Sequence, residues 1–361
     1  MNEINPQDMD KLVLLIKQWG LALGFQQVGI TDTDLSGAEV HLQNWLANKY
    51  HGEMEYMQRH GLKRSRPALL QEGTTRVISV RMDYQTESTV NMNEVLDNPT
   101  SAYISRYALG RDYHKMMRNR LQKLADKIQN EASLLSQIPV FNVSMRAFVD
   151  SAPVLEKALA EKAGLGWIGK HSNLINRKAG SWFFLGEIFI DLPLPLDEAV
   201  SAHCGACTAC LAVCPTQAIV APYQVDARRC VSYLTIELHG PIPEPFRKLM
   251  GNRIYGCDDC QIICPWNRFA KLTGEADFNP RQQLNTQQLL DVFAWTEDVF
   301  LTKTEGSAIR RIGYERWLRN IAVALGNAPT SVAVVEALKA KLTDQSELVR
   351  EHVHWGLEQH K

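Results

Sequence analysis

Apolar residues recur at helical spacing across Lys11–Leu23, and the run Phe25–Thr31 that follows at once has the character of a short strand. A second helix is expected over Leu42–His60. Arg76–Tyr84 predicts a strand, because Val77, Ile78 and Val80 crowd β-branched side chains into a short segment. Gln85–Thr100 is polar with no useful period and predicts a loop. A long amphipathic helix follows from Asp112 to Leu134, then a strand over Arg146–Asp150, a helix over Leu155–Ala163 and an apolar closing segment, Trp182–Ile190. This order predicts an α/β unit over residues 1–192. Each proline of Leu192-Pro193-Leu194-Pro195 pushes its predecessor out of helix, so that tetrapeptide is expected to be a linker.

Residues 193–283 show little apolar periodicity and hold every cysteine of the chain. Over residues 284–361 the pattern turns all-helical, with Trp317–Leu325, Val332–Leu342 and Leu348–Leu357 joined by short polar turns. Helices paired in this way resemble a HEAT-like repeat unit.

Composition narrows the classes. The chain has 361 residues, 45% of them hydrophobic and 22% charged, which suits two or three soluble domains. A formal net charge of −1 provides no global basic field, so nucleic acid or membrane has to be met by a local patch. Met1–Asn5 lacks the basic start of a secretory signal, and no apolar run reaches the ~18 residues of a membrane span. A cytoplasmic monomer with no membrane partner is expected. The eight cysteines all lie between Cys204 and Cys264, a clustering that serves metal or catalysis rather than disulfide staples.

Their spacing is informative. Cys204-x2-Cys207-x2-Cys210-x3-Cys214-Pro215 has the bacterial ferredoxin spacing, in which three close thiolates grip one [4Fe–4S] cluster and the fourth ligates its neighbour. Cys257-x2-Cys260-x3-Cys264-Pro265 is a second run one cysteine short, and Cys230 fills the vacancy. Cluster one is therefore assigned Cys204, Cys207, Cys210 and Cys264. Cluster two is assigned Cys214, Cys230, Cys257 and Cys260. Structural zinc also uses C-x2-C pairs, but without the third close cysteine and the trailing proline.

Other motifs are weaker. Gly164-Leu165-Gly166-Trp167-Ile168-Gly169-Lys170 matches the letters of a dinucleotide fingerprint and nearly those of a phosphate loop, yet a helix precedes it where both need a strand. Those glycines are expected to end the helix and admit a close backbone approach. Asp112-Tyr113-His114 begins like the D-x-H-x-x-G of corrinoid proteins but lacks the glycine at 117. Asp150 ends an apolar strand and precedes Ser151-Ala152-Pro153. Two roles suit it: a semi-buried general acid facing a ligand crevice, or a helix N-cap.

Four segments carry a family resemblance. Ile104-Ser105-Arg106-Tyr107-Ala108-Leu109-Gly110-Arg111-Asp112-Tyr113-His114, Val149-Asp150-Ser151-Ala152-Pro153, Gly164–Ser172 and Tyr255-Gly256-Cys257-Asp258-Asp259-Cys260 are similar to epoxyqueuosine reductases. The likeness runs through the helical C-terminus at Ile309-Arg310-Arg311. It implies a cobalamin-dependent enzyme that reduces the epoxide of epoxyqueuosine to queuosine at the wobble base of tRNA, fed by an external low-potential electron donor. It implies an N-terminal domain like those of reductive dehalogenases and corrinoid-processing proteins, with a ferredoxin-like domain passing electrons to cobalt. Asp150 would protonate the opening epoxide, with its pKa raised by apolar walls. By the same similarity the corrin is placed against Arg59, Asp150, Leu174, Leu185, Ser232 and Asp258, although Leu174 and Leu185 equally suit core packing.

For tRNA, residues 301–320 carry Lys303, Arg310, Arg311, Arg316 and Arg319 against Glu305 and Glu315, and Arg228, Arg229, Arg247, Lys248 and Arg253 form a second basic stretch. The same charges equally suit solvated helical faces. Tyr103, Tyr107 and Tyr113 are candidates for stacking on a base or for the core. Two other readings compete: a corrinoid reductive dehalogenase acting on a small molecule, and a plain electron carrier.

Overall fold

The computed structural model describes residues 6–135 and 143–361. Met1–Asn5, on which the absence of a leader was read, lie outside the described residues. A four-stranded sheet sits at the centre, in the order β1 (Gln27–Thr31), β2 (Arg76–Asp83), β4 (Phe183–Ile190), β3 (Met145–Phe148). Every pairing in it is antiparallel. This corrects the α/β expectation. The sheet is not doubly wound, so the crevice at the carboxyl ends of parallel strands does not exist here.

Strand alternation gives the sheet two apolar faces. Ile78, Val80, Met82 and Ile188 turn to one side, against helices α1 (Pro6–Ala22) and α3 (Tyr113–Leu135). Val77, Phe148 and Phe189 turn to the other, where Leu159 of helix α4 (Glu156–Lys162) packs.

The helix expected over Leu42–His60 is shorter and earlier. Helix α2 runs Ser36–Ala47, and a separate single turn follows at Tyr56–Arg59. Lys49 and Gly52 between them hold φ of 56° and 59°, which no helix continues. A Cβ at Gly52 would collide with the Tyr233 hydroxyl, so the chain turns there to pack on the cysteine-bearing region. The expected loop Gln85–Thr100 contains a short helix, Met92–Asp97, started by the Asn91 side chain accepting from Asn93 N.

The three expected segments interlock. Tyr103–Ile104 pairs in parallel with Arg253–Tyr255. One apolar core unites Ile104, Tyr255 and Trp317, a residue from each segment. Leu192 and Leu194 of the expected linker are buried (4% and 0% exposed), and Arg76 Nε donates to the Leu194 carbonyl. The C-terminal part is helical, with α7 (Gly313–Asn327), α8 (Val332–Lys339) and α9 (Glu347–Glu358) packed together. Among the described residues no helix is long and apolar enough to cross a membrane.

Candidate functional site

The fold brings Cys204, Cys207, Cys210 and Cys264 around one small cavity, closed by Ile175, Pro265 and Trp266. Helices α5 (Ala209–Val213) and α6 (Asp259–Ile262) pack against each other and carry Cys210 and Cys260. Cys260 lies within electrostatic reach of Cys230 and Cys214, and Cys257 within reach of Cys230. All eight thiols are free of disulfides. Among the described residues no three metal-binding side chains converge on a single ion.

Lys170 Nζ donates to the carbonyls of Gly205 (2.6 Å) and Cys207 (2.8 Å), tying the glycine motif to the first cysteine loop. Gly164, at φ 76°, ends α4 as expected. The close approach is nevertheless to the protein itself, because a Cβ at Gly166 would strike the Ile175 carbonyl across the Trp167–Ile168 hairpin.

A cleft opens beside the second cysteine group, with Leu174, Leu185, Phe183, Phe184, Tyr84, Tyr107 and Tyr113 as walls and Lys157, Asn173, Ser181 and Gln261 supplying polar atoms. Gln261 follows Cys260 directly, and the Cys260 thiol is close enough to bear on Tyr84 and Lys157. Tyr113 stacks on Phe184 with ring centroids 3.7 Å apart, and His114 stacks on Tyr113 at 4.2 Å.

His114 links the cleft to Asp150. Its Nε2–H donates to Asp150 Oδ2 (3.0 Å) and its Nδ1–H to Asp112 Oδ1 (2.6 Å). Burial works against the imidazolium, but hydrogen bonds to the two carboxylates outweigh it and raise the His114 pKa to about 9. For Asp150, burial works upward, but the His114 hydrogen bond and charge, helped by Arg311, hold it below the usual carboxylate range. This reverses the expected raised pKa. At neutral pH the proton of the pair rests on His114, while the Asp150 side chain is ionised and half exposed (50%). His114 escaped the sequence reading because its motif was judged by a missing glycine, and Asp150 stands 36 positions away.

The other expected corrin contacts divide. Leu174 and Leu185 line the cleft. Arg59 is exposed at the end of its short turn. Ser232 sits beside Cys230, with its hydroxyl and N–H directed at that sulfur. Asp258 is buried (2%) and already accepts from Tyr103 Oη, Ser105 Oγ and Arg106 N at 2.6–2.8 Å, so its carboxylate is spent on the fold. Tyr103 belongs to this buried cluster.

The two basic stretches are largely engaged by partners within the protein, although Arg228, Lys248, Arg310 and Arg311 are exposed. Arg319 is fully buried and donates to the carbonyls of Leu234, Leu238 and Gly240. Arg247 pairs with Glu351, Arg253 with Asp259, Arg311 with Glu237 and Arg228 with Asp226. Arg316 donates to the carbonyls of Ile312 and Ile236. Sequence charge alone carries no signal for this pairing. A different groove, of about 550 Å³, is lined by Arg177, Lys178, Arg268 and Lys271 with Trp266 and Phe269. Among the described residues none of these four cations has a carboxylate partner. Asn267 Oδ1 accepts from Ser181 N (2.6 Å), joining this groove to the cleft.

Comparisons with known proteins agree with one another. Residues 203–267 match the family described as a 4Fe-4S double cluster binding domain, and residues 64–151 match "Epoxyqueuosine reductase QueG, DUF1730". The chain is 60% identical to the epoxyqueuosine reductase of Pseudomonas aeruginosa across 99% of its own length and 97% of that protein. The solved epoxyqueuosine reductase of Streptococcus thermophilus superposes with a TM-score of 0.83 at 26% identity, covering 96% of this chain and 90% of that one. An epoxyqueuosine reductase crystallised with an epoxyqueuosine-modified tRNA-Tyr stem loop has the same fold, with a TM-score of 0.81 at 24% identity over 98% and 99% of the two chains.

Proposed function

This chain belongs to the epoxyqueuosine reductase family, and from that membership we propose that it removes the epoxide oxygen of epoxyqueuosine in tRNA, leaving queuosine. The observation that carries the reading is the meeting of two supplies in one cleft. A proton-bearing pair, His114 and Asp150, lies to one side, and Cys260 of the second cysteine group lies against the polar rim. Deoxygenation of an epoxide needs both, because two electrons enter as the oxygen leaves with protons.

The residues of the cleft fit cobalamin. Leu174, Leu185, Phe183 and Phe184 present an apolar and aromatic wall, and Lys157, Asn173, Ser181 and Gln261 offer polar atoms to the amides around a corrin. At about 210 Å³ the cleft takes one face of a macrocycle rather than enclosing it. When bound, cobalamin supplies low-potential cobalt chemistry able to break a carbon–oxygen bond. The cysteine groups would hold two [4Fe–4S] clusters, filled by an external low-potential donor. Asp150 would deliver the proton stored on His114, since covering its half-exposed carboxylate with substrate removes water and draws the proton toward it.

Arg177, Lys178, Arg268 and Lys271, which lack carboxylate partners, would hold tRNA phosphates, beside the packed rings of Trp266 and Phe269. The C-terminal helices would form the HEAT-like module, and a tRNA substrate places the activity in the cytoplasm. A reductive dehalogenase would share the cofactors, but similarity to epoxyqueuosine reductase across 99% of the chain favours tRNA. The test incubates anaerobically reconstituted protein, cobalamin, a low-potential reductant and epoxyqueuosine-bearing tRNA, followed by nucleoside mass spectrometry. Loss of one oxygen that depends on cobalamin supports the reading. An unchanged base with full iron content would overturn it.

A further inference from the structure

Glu187 is an anomaly in the centre of the sheet. It is fully buried (0% exposed), and neither carboxyl oxygen finds a donor. Ser79, its partner directly across on β2, also leaves its hydroxyl unpaired. On the other side Glu187 faces Phe148 of β3, two residues before Asp150. A buried ionised carboxylate without donors is costly, and an apolar residue there would be the stabilising choice. The side chain that does reach Glu187 is another carboxyl, Glu156 of α4. Two ionised carboxylates have nothing to donate to each other, so their contact becomes a hydrogen bond only when one carries a proton.

The pair also touches the reacting group's loop. Glu156 Oε1 accepts from the backbone N–H of Asp150. The charges of His114 on α3, Lys157 on α4, Arg64 and Tyr113 bear on this cluster, those of Arg311 and Asp112 bear on Asp150, and Asp150 is ionised among them. Burial, and then the charge of Asp150, push the Glu156 carboxyl up, and burial and Glu156 push Glu187 up further. Both directions agree with a proton retained at neutral pH.

The reaction leaves a use for that proton. Converting an epoxide to an alkene breaks two C–O bonds, forms one C=C bond and releases the oxygen as water, consuming two electrons and two protons. The clusters supply the electrons, and the His114–Asp150 pair holds one proton. We propose that the buried Glu187 and the partly buried Glu156 share a single proton and form a store behind Asp150, which supplies the second proton of each turnover. The proposal rests on the epoxide-reductase reading for its role in turnover. The shared proton itself does not depend on that reading.

Infrared spectroscopy tests the proton without substrate. The protein at pH 7 should show the carbonyl stretch of a protonated carboxylic acid, shifted in D2O, retained in Asp150→Asn and lost in Glu187→Gln. Absence of that band in the unmodified protein would overturn the shared proton. Glu187→Gln keeps the shape and one donor toward Glu156 but has no proton to give, so it should fold. Glu156→Gln provides a second variant, and thermal unfolding checks both. In single turnover with epoxyqueuosine tRNA both variants should consume the epoxide at the unmodified rate but form the alkene product more slowly. In steady state both should slow at least about tenfold, with an enlarged solvent isotope effect. Slowed consumption of the epoxide itself in single turnover, or no loss in steady state, would overturn the role as a store. If the unmodified protein leaves the epoxide intact, the functional reading fails, and the infrared band still decides the pair.

Discussion

At Asp150 the backbone holds φ 53°, a left-handed conformation that a residue with a Cβ keeps only when its surroundings enforce it. Two groups do so here: Glu156 takes its N–H, and His114 takes its carboxylate. Asp150→Asn should keep both clusters and bound cobalamin yet lower the single-turnover rate by ~100-fold or more, read by rapid quench. Equal loss of cofactor would make Asp150 structural. Because the His114 pKa is raised from 6.5 to about 9, the charged pair is complete below 6.5 and is lost as pH rises through about 9. The single-turnover rate should therefore fall on the alkaline side near pH 9, and His114→Gln should abolish that limb. On the acid side, Asp112 and Asp150 are held below 3.8, so their part is lost only as pH falls through those lowered values. Asp150 was legible in sequence as a carboxylate ending an apolar strand. Its charge state was not, because that depends on an imidazole brought in from another helix.

Among the elements, the strands of the central sheet were visible as β-branched and apolar runs, and the helices as 3.6-residue periods. Their pairing was not, since antiparallel and parallel sheets with both faces covered share the same apolar pattern. Glu187 illustrates the limit: within Phe183–Ile190 it looks like one polar interruption, and only the register against Ser79 and Phe148 reveals its isolation. Helix α7 makes the opposite point. Its Arg319 reads as part of a basic surface stretch, yet it and its neighbour Asn320 are both fully buried. Asn320 Nδ2 donates to the carbonyls of Thr235 and Ile254, both at 2.9 Å, fastening the helical end to the cysteine region. Asn320→Ala would strand two buried carbonyls and should cost about 3 kcal/mol, measured by urea unfolding. A loss below about 0.5 kcal/mol would mean that water replaces the amide.

At the scale of the whole molecule, the cation groove is assembled from two segments some ninety positions apart, which is why a scan of local charge passed over it and chose stretches whose arginines are paired internally. Reversing Arg268 and Lys271 to glutamate should weaken tRNA binding at least about tenfold and flatten its salt dependence by about one unit per lost phosphate contact, with cluster content unchanged. Unaltered affinity would move the RNA to another face. The second cysteine group permits a similarly plain check. Cys230→Ala should halve the iron bound per chain, and full iron would overturn its assignment as a ligand. The cavity shared by Cys204, Cys207, Cys210 and Cys264 also bears on how the protein is made. As the chain leaves the ribosome, the first three thiols emerge well before the fourth, and Cys214 and Cys230 likewise wait for Cys257 and Cys260. On this assignment the second site is complete only once Cys260 has been added and the first only once Cys264 has, so metal loading would be a late event, and nascent chains halted upstream of Cys257 should be recovered without stable clusters.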